Sequence, residues 1–139
     1  MIYQRILEEL ATHNCKITPQ RREIIKTLIQ AKAPLSAKQI FDRLRARNPK
    51  MSFDTVYRNL AILKELQVVR QLDFHDGKSR FEIDRGPKHH HYLVCLKCGG
   101  AWKIDGCPME NLNINNIPTG FKVTNHRFEL FGYCQDCRS

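Results

Sequence analysis

Apolar residues recur along the first half of the chain at the spacing of helices, then change to the spacing of strands. Ile2, Ile6, Leu7 and Leu10 fall on one face of a helix over residues 2–13. Thr18-Pro19 reads as an N-cap followed by proline at the first helical position, where a missing N–H leaves nothing unsatisfied. Ile24, Ile25, Leu28 and Ile29 continue that helix as an apolar stripe, which Pro34 stops. Ser36 caps a third helix with Ile40, Phe41 and Leu44 inward, and Asn48-Pro49 ends it. Ser52 caps a fourth, expected to run to about Gln67, with Phe53, Val56, Leu60 and Leu63 on one side and Asp54, Arg58, Ala61 and Glu65 on the other. Beyond it the period falls to two. Leu72 and Phe74 alternate with polar neighbours, as do Phe81 and Ile83, and Asp76-Gly77 between them is a hairpin turn signal. Four helices followed by such a hairpin is the order of a winged helix-turn-helix.

Composition divides the chain where this pattern ends. Residues 1–88 hold 18 of the basic residues and one of the six cysteines, whereas residues 89–139 hold five cysteines and four of the six histidines. Arg85-Gly86-Pro87-Lys88 reads as a hinge between an N-terminal domain over 1–84 and a C-terminal one over 89–139. The formal net charge of +9 is concentrated: residues 16–50 carry ten basic and two acidic side chains. Charge of that density suits a polyanion, with nucleic acid the foremost candidate. No stretch has the length and apolarity of a membrane span, and the charged N-terminus lacks the apolar core of a signal peptide, so a cytoplasmic protein is expected. In that compartment six cysteines point to metal rather than to disulfides.

The C-terminal residues carry the sharper chemistry. Cys95-x-x-Cys98 and Cys134-x-x-Cys137 are two pairs able to close a tetrahedral sulfur site, which suits structural Zn²⁺ because four thiolates leave no open position. The 35 residues between the pairs require a small folded unit there. Just upstream, His89-His90-His91-Tyr92 on a strand would place His89 and His91 on one face. His126, expected in another strand with Phe128 and Leu130 alternating behind it, and Glu110, after Pro108 opens a short helix, complete a set of three nitrogens and one oxygen. Cys15 and Cys107 have no paired cysteine and read as small buried hydrophobes, and Trp102 as a core or interface aromatic.

These motifs together resemble the ferric uptake regulator family of metal-sensing repressors. The resemblance runs through Ile17-Thr18-Pro19-Gln20-Arg21, Ser52-Phe53-Asp54-Thr55-Val56-Tyr57-Arg58-Asn59-Leu60, His89-His90-His91, Cys95-x-x-Cys98-Gly99, Asn125-His126 and Cys134-x-x-Cys137, essentially the whole chain. It implies an α+β protein: an N-terminal winged helix-turn-helix, then a small α/β dimerisation domain with a structural zinc site. The 52–60 segment and Cys107-Pro108-Met109-Glu110 resemble the zinc uptake regulator branch in particular. The site usual in the iron and peroxide branches maps onto Pro34, Glu82, His90, Tyr92 and Lys103, three of which cannot serve as the usual ligand. The family's other site maps onto His89, His91, Glu110 and His126. Glu82 and His90 leave a further zinc site open.

What the resemblance implies is a zinc-responsive repressor that binds an inverted-repeat operator in double-stranded DNA as a homodimer and controls zinc-uptake genes, with one structural and at least one regulatory Zn²⁺ per chain. Occupation of the regulatory site would tie the hinge to the dimer core. The N-terminal residues of the Ser52 helix, Ser52 and Thr55 among them, would face base edges in the major groove. Arg58 would contact guanine or phosphate, and Tyr57 a thymine methyl or phosphate. Lys16, Arg21 and Arg22 would track the backbone, joined by Lys78 and Arg80 from the wing. The alternative is an iron- or peroxide-responsive repressor of the same family. A small zinc enzyme is disfavoured, since four protein ligands leave no position for an activated water and no general base has a clear signature. A thiol redox protein is the remaining rival.

Overall fold

Each of the three later helices begins on a side-chain cap. The computed structural model describes all residues except 75–76, 87–89, 112 and 139. Helix α1 spans Ile2–Thr12, α2 Pro19–Gln30, α3 Ala37–Arg45 and α4 Phe53–Glu65. Thr18 accepts the Arg21 N–H, Ser52 accepts the Thr55 N–H, and Ser36 forms a reciprocal capping box with Gln39. Helix α4 stops two residues short of the expected end. Gln67 takes a left-handed φ of 62°, and the Val68 N–H returns to the Leu63 carbonyl at 2.9 Å.

The chain divides into two compact units, Met1–Gly86 and Pro87–Ser139. In the first, the apolar stripes of the four helices meet in one core through Leu10, Ile24, Ile40, Val56, Leu60 and Leu63, all fully buried. Strands β1 (Val69–Asp73) and β2 (Ser79–Ile83) pair antiparallel, with Val69 opposite Ile83. Leu35 adds a third rung by exchanging both backbone hydrogen bonds with Phe81, at 3.0 and 2.7 Å. Gly77 in the connecting turn has φ +80°, a conformation that favours glycine, while Asp76 lies outside the described residues. The result is the helical unit and β-wing that the periodicity predicts.

The second unit is a three-stranded sheet in the order β4-β3-β5. Strand β3 (His91–Cys95) runs antiparallel to β4 (Ala101–Ile104) and parallel to β5 (Glu129–Gly132). A single 3-10 turn, Pro108–Asn111, follows β4. The strand expected at His126 begins later, at Glu129, so His126 sits on the irregular segment leading into β5. Among the described residues no helix is long and apolar enough to cross a membrane.

Candidate metal centres and nucleic-acid interface

Parallel pairing of β3 with β5 sets Cys95 opposite Gly132, two residues before Cys134. The chain turns tightly after each cysteine pair begins. Gly99 at φ +75° donates its N–H to the Cys95 carbonyl at 3.0 Å, and the Cys137 N–H reaches the Cys134 carbonyl at 3.0 Å. Gly100 has no room for a side chain, because a Cβ there would stand 2.8 Å from the Trp102 ring and 3.4 Å from the Cys98 sulfur. All four sulfurs lie within 4.8 Å of one another, with Cys98 and Cys134 3.9 Å apart. A tetrahedral zinc with Zn–S near 2.3 Å would set S···S edges at roughly 3.8 Å, so the residues fit that metal.

The cluster is electrostatically uneven. The Cys98 and Cys134 N–H groups both point at the Cys95 sulfur from 3.5 Å and hold its pKa down to about 6, favouring the thiolate. Cys137 is pushed up to about 12, first by the neighbouring Cys134 sulfur and then by burial. One sulfur is thus ready as an anion, and another ionises only when a cation arrives.

A second cluster joins His91, Cys107 and His126. His91 opens β3 and is buried, its ring edge-on to Phe128. Its Nδ1 lies 3.1 Å from the Phe128 carbonyl. A carbonyl only accepts, so Nδ1 carries the proton and Nε2 of the neutral ring presents a lone pair on the other side. That Nε2 is 3.1 Å from His126 Nε2 and 3.3 Å from Cys107 Sγ, and Cys107 Sγ is 3.2 Å from His126 Nε2.

The composition of this second cluster differs from the expected ligand set. Cys107 is a member rather than a bystander in an apolar core. Glu110, the expected oxygen ligand, is exposed and stands outside the cluster. The Glu110 N–H donates to the Cys107 carbonyl at 3.1 Å across the 3-10 turn, while the Glu110 side chain is exposed. His89 lies outside the described residues, as does His75. Glu82 and His90, the further pair, join neither cluster among the described residues, and Glu82 instead faces Arg70 across the hairpin at 3.5 Å.

On the first unit, α4 presents an exposed face. Ser52 and Arg58 are exposed, Tyr57 is 56% exposed, and Thr55 is half-buried with its hydroxyl 2.8 Å from Ser52 Oγ. Arg58 pairs with Asp54 at 3.2 Å. Such a solvated pair contributes about 0–1 kcal/mol, so exchanging it for a phosphate or base contact costs little. Lys16, Arg22 and Lys78 are exposed as expected.

Two arginines are not where sequence reasoning put them. Arg80 is 1% exposed, its guanidinium 5.0 Å over the Phe74 ring, so in this structure it packs within the wing. Arg21 is half-buried and engaged inside the unit. Its Nε donates to Asn59 Oδ1 at 2.8 Å, and its Nη1 reaches Cys15 Sγ at 3.1 Å and the Lys16 carbonyl. Asn59 in turn donates to the Thr55 carbonyl at 2.8 Å, so Arg21 braces α2 against α4.

A helical unit with a wing, two clusters of side chains able to hold a metal and an exposed capped helix are thus present in one chain. Comparison with known proteins finds that the sequence model of the ferric uptake regulator family matches residues 12–131. The chain belongs to the ferric uptake regulator family. Members of the family are metal-responsive transcription regulators, not enzymes. The chain is 34% identical over 137 residues to the ferric uptake regulation protein of Bacillus subtilis (strain 168), covering 96% of this chain and 92% of the relative. It is 35% identical over 132 residues to the peroxide operon regulator of the same strain, covering 94% and 90%. A zinc-bound manganese uptake regulator of known structure superposes with a TM-score of 0.75 at 30% identity, covering 92% of this chain and 98% of that one. Seen as a member of the ferric uptake regulator family, the chain departs from sequence expectation mainly at Cys107, Arg21 and Arg80. Only Cys107 had a local signal, a cysteine directly before the proline that opens a turn between two histidine-bearing segments.

Proposed function

We propose that this regulator is a zinc-responsive transcriptional repressor, acting in the cytoplasm, that binds operator DNA as a metal-loaded homodimer and controls zinc-uptake genes. The observation that carries the reading is the convergence of His91 and His126, with the Phe128 carbonyl fixing the tautomer that turns a His91 lone pair toward His126. Two imidazoles suit zinc better than they suit manganese, which favours oxygen donors, while iron(II) also accepts imidazole. A bound divalent metal would supply a cross-link between the start of β3 and the segment before β5. Metal can drive repression only by binding the DNA-competent arrangement more tightly than the other. The four-cysteine cluster is the structural zinc site in this reading.

Helix α4 would enter the major groove, with Ser52, Thr55, Tyr57 and Arg58 at bases or adjacent phosphates and Lys16, Arg22 and Lys78 along the backbone. Dimerisation is supported by a row of apolar side chains across the second sheet. Leu93 pairs in register with Trp102 on one side and Leu130 on the other, and all three are 43–49% exposed. A twofold dimer would read two half-sites of an inverted repeat.

An iron- or peroxide-responsive repressor is the second reading, favoured by the names of the two Bacillus subtilis relatives. One experiment separates them. DNA selected from a randomised pool with the zinc-loaded protein is titrated against buffered Zn²⁺, Fe²⁺ and Mn²⁺, with the four-cysteine site kept zinc-filled. Binding that follows Zn²⁺ supports the first reading, and binding that follows Fe²⁺ or Mn²⁺ at constant zinc supports the second.

A further inference from the structure

The His91–Cys107–His126 cluster is a near-equilateral triangle of donor atoms, with edges of 3.1, 3.2 and 3.3 Å. Hydrogen bonding alone accounts poorly for that shape. The His91 Nε2 lone pair is a single in-plane orbital, since Nδ1 holds the ring proton against the Phe128 carbonyl. It cannot accept a well-aligned bond from both His126 and Cys107, which are themselves in contact. One cation facing all three atoms resolves the conflict. A tetrahedral zinc with Zn–N near 2.05 Å and Zn–S near 2.3 Å would give edges of roughly 3.3 and 3.6 Å, so a few tenths of an ångström of expansion suffices. Pro108 fixes the backbone directly after Cys107 at the start of the 3-10 turn, and the Cys107 carbonyl is held by the Glu110 N–H.

We propose that the Cys107 thiolate is a ligand of the regulatory metal, in the role that the sequence assigned to Glu110. This rests on the reading of His91 and His126 as a metal centre and makes that centre more specific. Binding expels the thiol proton to solvent and leaves a set of two nitrogens and one sulfur. Exchange of a carboxylate for a thiolate turns the site toward thiophilic ions such as Zn²⁺ and away from Mn²⁺ and Fe²⁺. Metal discrimination in this chain therefore resides in residue 107 as much as in the histidines.

The test uses the full-length chain with its four-cysteine site filled by zinc, titrated with Co²⁺ and followed by absorption, with zinc content measured afterwards to show that the first site kept its metal. Native protein is expected to bind further Co²⁺ with a near-ultraviolet sulfur-to-cobalt charge-transfer band. In Cys107→Ser that band is lost, and affinity falls by about tenfold or more, since even outer-shell changes at metal sites cost that much. Glu110→Gln leaves the spectrum unchanged. A native Co²⁺ complex lacking the band, or a band that survives Cys107→Ser, overturns Cys107 as ligand and leaves the histidine centre standing. If native protein takes up no Co²⁺ beyond the zinc-filled site, the metal-centre reading itself falls, and the ligand assignment with it.

Discussion

The two units are held together by different physics. Among the described residues, the first buries eighteen apolar side chains and the second only four, Tyr92, Val94, Cys95 and Ala101. A fully buried aliphatic side chain contributes about 1.5–3 kcal/mol, so the first unit has ample burial to fold on its own core. Within a single chain the second does not, and one of its four buried residues is itself a cysteine of the sulfur cluster. Two sets of candidate ligand atoms bracket its sheet, four sulfurs at one end of β3 and the His91 group at the other. A unit that relies on metal and on a second copy for its order would be well placed to report metal, whereas a unit with a large apolar core is well placed to keep an exposed helix face constant.

The largest effect is expected at the sulfur cluster. If the four-cysteine cluster holds structural zinc as proposed, Cys134→Ser should strip it and unfold the second unit, because a structural zinc supplies about 10–16 kcal/mol of apparent binding free energy at pH 7. Amide hydrogen exchange should show lost protection across residues 91–104 with α2 and α4 unchanged. Retained protection in the sheet would mean that its small core suffices. The converse substitution, Leu60→Ala, opens a cavity in the first core and should cost about 2–5 kcal/mol by denaturant unfolding, with zinc per chain unaltered.

Acidity should act on the second unit in a defined direction. With Cys95 held down to about 6 and Cys137 up at about 12, zinc binding at neutral pH must expel the Cys137 proton, while Cys95 is already largely ionised. Zinc affinity should therefore rise with pH by about tenfold per unit for each proton expelled, and fall more steeply below about pH 6 as Cys95 also protonates. Chelator competition at several pH values reads this slope, and a flat profile would contradict the assignment of charge within the cluster.

The smallest effects sharpen the DNA-binding face. Lys78→Ala should lower the slope of log affinity against log salt by about 1 and change stability by no more than about 1 kcal/mol, the range of an exposed ion pair. Arg80→Ala should do the reverse, lowering the unfolding midpoint through lost packing on Phe74 with no change in salt slope. Equal effects of the two on salt slope would show that Arg80 reaches phosphate after all.

Much of this was legible in the sequence because it is local. Ser36, Ser52 and Thr18 mark helix starts through bonds that span three residues, and the apolar stripes of the helices need only a 3.6 period. The paired cysteines announce themselves by spacing. What stayed hidden depends on closure in three dimensions. Cys107 meets His91 and His126 only because a turn after β4 and the segment before β5 return to the same end of β3. Arg80 escapes the alternation rule because Arg80 and Phe81 are both buried, one under Phe74 and the other on the helical core. Arg21 looks like a phosphate ligand from its charge, and only the approach of Asn59, 38 positions away in sequence, shows its internal use.

In the proposed mechanism, metal held at His91 and His126 decides when the first unit binds DNA. The most direct measurement is DNA affinity across buffered free Zn²⁺ for native protein and His126→Ala, both with the four-cysteine site zinc-filled. Native binding should rise with free zinc while His126→Ala stays weak throughout, its winged unit folded. An unchanged zinc response in His126→Ala would contradict the account.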